Sequence, residues 1–147
     1  MQKRVFIDLD GVLADFNAGK TLLDEDTKRN CAGYEYRIPG FFATLPPMPG
    51  AIDAVHRLQK KYDLYILSTA PWSNSSAWSD KLLWVKKHFG DVFYKRIVLT
   101  HCKNLCKGDY LIDDNAKNGA AQFEGEWLHF GSEKYPDWES ILRYLEV

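Results

Sequence analysis

The stretch Val5-Phe6-Ile7-Asp8-Leu9-Asp10-Gly11 determines how the rest of the chain is interpreted. Residues 5–9 form an apolar run that is interrupted only by Asp8, and such a run predicts a buried strand. Asp10-Gly11 is a common turn pair, so a simple turn is one interpretation. The alternative is a metal site, because a buried carboxylate costs several kcal/mol unless it is paired or metal-bound. Mg²⁺ favours a few carboxylates together with phosphate and water.

Short apolar runs alternate with helix-period segments along the rest of the chain. Further strands are predicted at residues 64–67, 97–99, 110–112 and 127–130. Helices are predicted at 51–62, at 78–89 with Trp78, Leu82, Val85 and Phe89 on one face, and after an N-cap at Asp137. Non-alternating strands separated by helices indicate a parallel sheet that is covered on both faces. We therefore predict an α/β fold, a three-layer Rossmann-like parallel sheet.

Polar side chains follow four of the predicted strands, at the edge where an open α/β sheet binds its ligand. They are Asp8 and Asp10, Ser68-Thr69, Lys103, and Asp113-Asp114. The first two carboxylates suit a two-step phosphoryl transfer, in which one attacks phosphorus and the other transfers protons. Asp113-Asp114 can supply the remaining metal ligand or cap the following segment. The Thr69 hydroxyl and a lysine, Lys103 or its rival Lys107, can bind phosphate.

Residues 14–49 do not fit the alternation of strands and helices, and they are too many for a simple crossover. The segment contains Pro39-Gly40-Phe41-Phe42 and Pro46-Pro47-Met48-Pro49-Gly50. We interpret it as a small, partly helical cap, at about 15–48, inserted over the site after the first strand. The chain of 147 residues is otherwise the size of one domain, so a single domain at 1–147 is predicted.

Bulk composition limits the partners that this chain can have. The formal net charge of −1 is unfavourable for a nucleic acid polymer, whose binding depends on many Lys and Arg contacts. We expect no membrane association, because no apolar run approaches the length of a membrane span. The N-terminal apolar stretch is too short for an export signal, and three unpaired cysteines suit a reducing compartment. The expected location is cytoplasmic.

Four motifs occur in order along the chain: Asp8-Leu9-Asp10-Gly11-Val12-Leu13-Ala14-Asp15-Phe16, Ser68-Thr69-Ala70-Pro71, Lys103, and Ile112-Asp113-Asp114. They resemble the motifs of the haloacid-dehalogenase (HAD) superfamily, and in particular those of its 5'(3')-deoxyribonucleotidases. Further similar stretches include Trp84-Val85-Lys86-Lys87-His88-Phe89-Gly90 and Ile97-Val98-Leu99-Thr100. The resemblance covers almost the whole chain and implies a HAD-like fold with a cap.

The resemblance also implies roles for individual residues. Asp8 would be the nucleophile and a Mg²⁺ ligand, and Asp10 the general acid/base, with its backbone carbonyl on the metal. Thr69 and Lys103 would bind phosphate, and Phe16 would pack near a nucleobase. Asp114 would be the third metal ligand with Asp113 as its support, although the choice between these two stays open. The implied enzyme is a phosphoric monoester hydrolase of the 5'-nucleotidase type that acts on a small phosphate ester such as a deoxynucleoside monophosphate, through an aspartyl-phosphate.

Two departures from the resemblance leave the substrate open. The cap is shorter than in the animal members of the family, and Ala70 stands where those members often carry Ser. A HAD phosphatase for another small ester is therefore one alternative. A catalytically silent binding module is a second, although the presence of both Asp8 and Asp10 argues against it. For Phe41, Phe42 and Trp72, packing in the core is preferred over a place in the pocket. The oligomeric state is open, with a homodimer as one alternative.

Overall fold

The computed structural model describes residues 1–147 and shows a five-stranded, fully parallel sheet. The order across the sheet is β3-β2-β1-β4-β5, so β1 lies at its centre. The strands are β1 (Arg4–Ile7), β2 (Asp63–Ser68), β3 (Ile97–Leu99), β4 (Tyr110–Asp113) and β5 (Glu126–His129). The predicted α/β, Rossmann-like fold is confirmed. β1 ends one residue before Asp8, which places this carboxylate at the carboxyl edge of the sheet.

Five α-helices accompany the sheet. They are α1 (Phe16–Thr21), α2 (Glu25–Asn30), α3 (Ala51–Leu58), α4 (Ser75–Phe89) and α5 (Trp138–Tyr144). The predicted N-cap of α5 is confirmed, since Asp137 accepts a hydrogen bond from the backbone N–H of Ser140. Gly90 ends α4 in a backbone conformation with positive φ. α3 is one turn shorter than predicted, and residues 59–62 form turns instead.

The two faces of the sheet are covered unequally. One face packs its aliphatic side chains, such as Val5 and Ile66, into a core of 30 buried residues that includes residues of α3, α4 and α5. The other face carries a smaller cluster around Phe6, Leu111 and Phe123. Short 3-10 turns at Lys103–Leu105 and Ala120–Gln122 lie on that side. Alternate residues of each strand point to opposite faces, which explains the division.

The insertion between β1 and α3 contains α1, α2 and two 3-10 turns, at Glu35–Arg37 and Phe41–Ala43. It is joined to the main body by buried contacts: the indole N–H of Trp84 donates to the carbonyl of Leu45 at 2.7 Å. Phe41 and Phe42 are 2% and 3% exposed, which confirms their predicted packing in the core. Whether this segment closes over a substrate as a cap stays a prediction.

Two predictions about aromatic and aliphatic packing are wrong. Trp72 is 85% exposed and belongs to no core cluster, because it lies on a turn ahead of α4. Leu82 is 42% exposed, while Lys81 beside it is buried. The buried stripe of α4 runs through Ala77, Lys81, Trp84, Val85 and Phe89. The helix is rotated relative to the predicted stripe because Lys81 has buried polar partners. None of the helices has the length and apolar character needed to cross a bilayer.

Candidate active site

Three carboxylates from distant parts of the chain meet at the carboxyl edge of the sheet. Asp8 follows β1, Asp113 ends β4, and Asp114 comes next. These strands are neighbours, and the backbone N–H of Asp8 donates to the carbonyl of Ile112 at 2.9 Å. Oxygens of the three carboxylates all lie within 4.8 Å of one another. The convergence expected from the order of strands is therefore present.

Lys103 is the cation buried against this cluster. Its side chain is 4% exposed, and Nζ lies 2.5 Å from Oδ2 of Asp113 and 3.3 Å from Oδ1 of Asp8. Burial opposes the charge of Lys103, but Asp8 and Asp113 outweigh it and raise the lysine pKa. The rival Lys107 is exposed at the other end of β4. Of the two lysines, only Lys103 contacts the carboxylates.

Asp113 and Asp114 differ in how well their oxygens are satisfied. Oδ2 of Asp113 pairs with Lys103, and Oδ1 accepts from the backbone N–H of Asn115 at 3.1 Å. Oδ1 of Asp114 is buried and has no hydrogen-bond partner. Burial, together with the charges of Asp8 and Asp113, raises the pKa of Asp114 to about 8. Asp114 is thus the carboxylate of this pair with an oxygen left for a cation.

The cluster fits a hard divalent cation. Lys103 pairs with two of the three carboxylates, and an oxygen of the third, Asp114, is buried without a partner, so a second positive charge would satisfy the site. Burial also raises the pKa of Asp8, to about 6, against the opposing effect of Lys103. Gly11 leaves the space that this arrangement needs. A Cβ on Gly11, whose φ is +82°, would lie 2.1 Å from Oδ2 of Asp114.

Asp10 has a cation of its own, which the sequence did not reveal. Nζ of Lys81 lies 2.5 Å from Oδ2 of Asp10 and 3.1 Å from Oγ of Ser68. The lysine is 2% exposed and also lies 4.6 Å from the centre of the Phe42 ring. Burial raises the pKa of Asp10, although Lys81 opposes the shift. A signal was present: Ala77, Lys81 and Trp84 fall on one face of a helix, but periodicity counts lysine as polar.

Two stacked rings from β5 hold the backbone of the acidic pair. The indole of Trp127 and the imidazole of His129 lie 4.6 Å apart at 26°, on the same side of the strand. The indole N–H donates to the carbonyl of Asp113, and Nε2 of His129 donates to that of Asp114, both at 3.0 Å. The rings therefore fix two successive peptides beneath the carboxylates. No pattern in the sequence indicates this role.

Thr69 and Phe16 line a cleft that also reaches Asp10 and Asp114. The cleft volume is about 1130 Å³. In this structure the Thr69 hydroxyl donates to the carbonyl of Thr100 at 2.7 Å, so binding a phosphoryl oxygen requires it to rotate. Phe16 is half-buried, with its ring 5.2 Å from that of Phe41. Four predicted site residues, Asp10, Phe16, Thr69 and Asp114, therefore line the cleft. Asp8 and Lys103 are buried and belong to the carboxylate cluster instead.

The acidic cluster predicts how the stability of the metal-free protein depends on pH. A carboxyl whose pKa is raised in the folded state binds its proton more tightly there than in the unfolded chain. It therefore lowers the free energy of unfolding as pH rises from the unfolded pKa, about 4, to the folded one. For Asp114 that window ends at a pKa of about 8. Each tenfold difference in proton affinity between the two states corresponds to about 1.4 kcal/mol.

We expect the melting temperature in EDTA to fall between pH 6.5 and 8 and to recover on adding Mg²⁺. Burial lowers the pKa of His88, which acts in the opposite sense and mainly below its ordinary pKa of about 6.5. Asp114→Asn should remove most of this pH dependence and should be more stable than the wild type in EDTA at pH 8. If the melting temperature falls equally with pH in the two proteins, the pH dependence does not come from Asp114.

Comparison with known proteins gives consistent matches. The family model described as "5' nucleotidase, deoxy (Pyrimidine), cytosolic type C protein" matches residues 20–144. A Vibrio phage KVP40 protein assigned by name to the 5'(3')-deoxyribonucleotidases is 50% identical over 96% of this chain and 83% of its own. The human 5'(3')-deoxyribonucleotidase, cytosolic type, is 33% identical over 95% of this chain and 78% of its own.

Solved structures support the fold. The magnesium-bound HAD-hydrolase YfnB of Bacillus subtilis has a TM-score of 0.71 at 12% identity, over 99% of each chain. A hydrolase from Streptococcus pneumoniae TIGR4 has a TM-score of 0.64 at 11% identity, again over 99% of each chain. At such identities the likeness extends to the backbone architecture alone.

Proposed function

We propose that this chain, which belongs to the 5'(3')-deoxyribonucleotidase family of the HAD superfamily, hydrolyses deoxynucleoside monophosphates with Mg²⁺ as cofactor. Members of this family are phosphomonoester hydrolases. The observation that carries the proposal is the group of Asp8, Asp113 and Asp114 beside the buried Lys103 and next to a cleft. The human relative is named a cytosolic type, and a cytoplasmic location stays a prediction for this chain.

Asp8, Asp114 and the backbone carbonyl of Asp10 would hold the metal ion. When bound, Mg²⁺ would supply positive charge to the phosphoryl oxygens. Asp113 would remain paired with Lys103, which supports Asp114 as the aspartate of this pair that meets the metal. Lys103 would neutralise charge on Asp8 and on the phosphoryl group, because it is a buried cation already within 3.3 Å of that carboxylate.

In the first step a carboxylate oxygen of Asp8 attacks phosphorus. An O–P bond forms to Asp8 while the O–P bond to the nucleoside breaks, and Asp10 donates its proton to the departing oxygen. Burial favours the protonated form of Asp10 by raising its pKa, as a general acid requires, and Lys81 limits that preference. The products of this step are the nucleoside and an aspartyl-phosphate at Asp8.

In the second step water releases phosphate. Asp10, now a carboxylate, removes a proton from water, whose oxygen attacks the phosphorus of the aspartyl-phosphate. The O–P bond to Asp8 breaks, and both aspartates return to their starting states. Lys81 holds Asp10 in place through both steps, because its ammonium group is fixed between Oδ2 of Asp10 and Oγ of Ser68.

A substrate panel with metal control tests the proposal. We expect phosphate release from deoxynucleoside monophosphates in Mg²⁺, its loss in EDTA, and its recovery when Mg²⁺ is restored in excess. The panel includes 5' and 3' esters, ribonucleotides and sugar phosphates. Comparison of their rates shows which ester is preferred and whether the activity is specific for nucleotides. Release from sugar phosphates but from no nucleotide would overturn the proposed substrate and favour the alternative of another small ester. Inactivity towards every ester would favour a silent binding module.

Lys81→Met is expected to lower kcat about 10- to 100-fold and to move the pH–rate profile. Removing the cation raises the pKa of Asp10, so the alkaline limb, where Asp10 must still be an acid, should shift to higher pH. Lys86→Met, at an exposed position of the same helix, is the matched control and should behave like the wild type. A reduced kcat with an unmoved profile would show that Lys81 does not act through Asp10.

A further inference from the structure

Trp72 is the most exposed aromatic side chain of the protein's catalytic cleft. It is 85% exposed, whereas Trp84 and Trp138 are each 2% exposed. It lines the same cleft as Asp10, Asp114 and Thr69, the last of which precedes it by three residues in the chain. A single exposed apolar side chain is ordinary on a protein surface, so exposure alone assigns no role. The attachment of Trp72 to the rest of the protein supplies the further evidence.

The turn that carries Trp72 is anchored by a buried side chain. The backbone N–H of Asn74 donates to the carbonyl of Pro71 at 3.2 Å, which closes a turn around Trp72. Asn74 is 4% exposed, and its Nδ2 donates to the carbonyls of Tyr36 and Ile38, at 3.0 Å each. The turn and the insertion are thereby fixed to each other. Tyr36 also lines the cleft, so its peptide is held to the turn of Trp72.

The Trp72 ring packs against His101 in a T-shaped arrangement. Its centroid lies 6.0 Å from that of His101 at 73°, and the same imidazole lies 6.0 Å from the Trp78 ring. A single neighbouring ring can cover at most one face of the indole, so the other face is available, in agreement with the 85% exposure of Trp72. His101 follows Thr100, whose carbonyl accepts the hydrogen bond of Thr69. His101, which contacts the indole, and Thr100, which accepts the hydrogen bond of Thr69, therefore belong to the same loop.

The other aromatic side chains are less available to a ligand. Phe41 and Phe42 are buried, and Phe16 is packed against both of them, at 5.2 and 6.0 Å between ring centroids. Of the Phe, Tyr and Trp side chains that line the cleft, Trp72 is the one that is exposed, since Phe16 and Tyr36 are half-buried and Phe130 is buried. A ring that is already held in place loses little freedom when a flat ligand stacks on it. Base–aromatic stacking is tolerant of base identity, because every base has a π face.

We infer that Trp72, supported by His101, is the platform on which the nucleobase of the substrate stacks. This inference rests on the proposed function and adds to it a residue that determines substrate class. It predicts that the protein distinguishes nucleotides from sugar phosphates through Trp72 while accepting several bases. Because the base is remote from the reacting bond, its contact stabilises ground state and transition state alike and affects KM more than kcat.

The test compares Trp72→Ala with the wild type on deoxynucleoside 5'- and 3'-monophosphates and on the baseless ester 2-deoxyribose 5-phosphate. We expect KM for nucleotides to rise about tenfold or more with kcat little changed, and kcat/KM for the sugar phosphate to stay within about twofold. Trp72→Phe should restore most of the nucleotide KM. Tyr94→Ala removes another exposed aromatic, away from the cleft, and should change neither substrate.

The outcomes separate this inference from the proposed function. If the wild type hydrolyses nucleotides and Trp72→Ala does so with the same KM and kcat, the inference about Trp72 is wrong and the proposed function stands. An equal loss on nucleotides and on the sugar phosphate would also overturn it, since Trp72 would then only support the fold. A wild type that releases phosphate from no nucleotide would overturn both.

Discussion

Asp8→Asn is expected to lower kcat by at least about 10⁴-fold and to leave the protein folded. An amide oxygen is a poor nucleophile towards phosphorus, and removing the nucleophile of a covalent mechanism abolishes most of the rate enhancement. Asparagine has nearly the same shape as aspartate, and it removes a buried negative charge that lies among Asp113 and Asp114. The metal-free variant should therefore be at least as stable as the wild type.

The measurements are the release of phosphate at saturating substrate and thermal melting in EDTA. Asp91→Asn, a change at an exposed aspartate, is the matched control and should alter neither quantity. Activity within tenfold of the wild type in Asp8→Asn would rule out an aspartyl-phosphate at this residue. A low activity that accompanies unfolding would also count against the account, because the structure predicts relief of repulsion at this position.

Asp10→Asn is expected to lower kcat for a nucleotide by about 10²- to 10⁴-fold, the usual range for loss of a general acid/base. The loss should be smaller for p-nitrophenyl phosphate in the first step, because a stabilised phenolate leaves without protonation. A rapid-quench experiment that resolves release of the leaving group measures that step. An equal loss for both esters would show that Asp10 does not protonate the leaving oxygen.

The same substitution should act on stability in the opposite direction from Asp8→Asn. Lys81 is buried, and replacing Asp10 leaves its ammonium group with Ser68 as its remaining close polar partner. Removing one member of a buried ion pair is destabilising, because the other charge stays desolvated. We therefore expect Asp10→Asn to melt below the wild type in EDTA, although the two aspartates are only two residues apart.

The convergence of the site could be predicted because parallel strands end at one edge of a sheet. Once Asp8, Thr69 and Asp113-Asp114 are assigned to strand ends, their meeting follows from topology. Topology could not predict which of Asp113 and Asp114 is placed to bind the metal. Adjacent residues at a strand end differ in direction, and the direction that meets Lys103 depends on the 3-10 turn that carries the lysine.

The sequence-based predictions are wrong, or missing, for residues whose burial depends on a specific partner and not on hydrophobicity. Lys81 is buried because Asp10 and Ser68 satisfy its charge, and no periodicity of apolar residues contains that information. Trp72 shows the reverse, since a large apolar side chain is kept exposed by a turn that Asn74 anchors. The stacking of Trp127 and His129 is equally invisible in sequence, because it depends on the register of β4 and β5.

Anomalous diffraction from crystals soaked in Mn²⁺ would show whether Asp8 and Asp114 share one divalent cation. Manganese accepts the same oxygen ligands as magnesium and can be located by its anomalous signal. We predict one strong peak within coordination distance, about 2.1 to 2.3 Å, of a carboxylate oxygen from each of these two aspartates. A peak bound elsewhere, or one that contacts Asp113 in place of Asp114, would mean that Asp8 and Asp114 do not form the metal site.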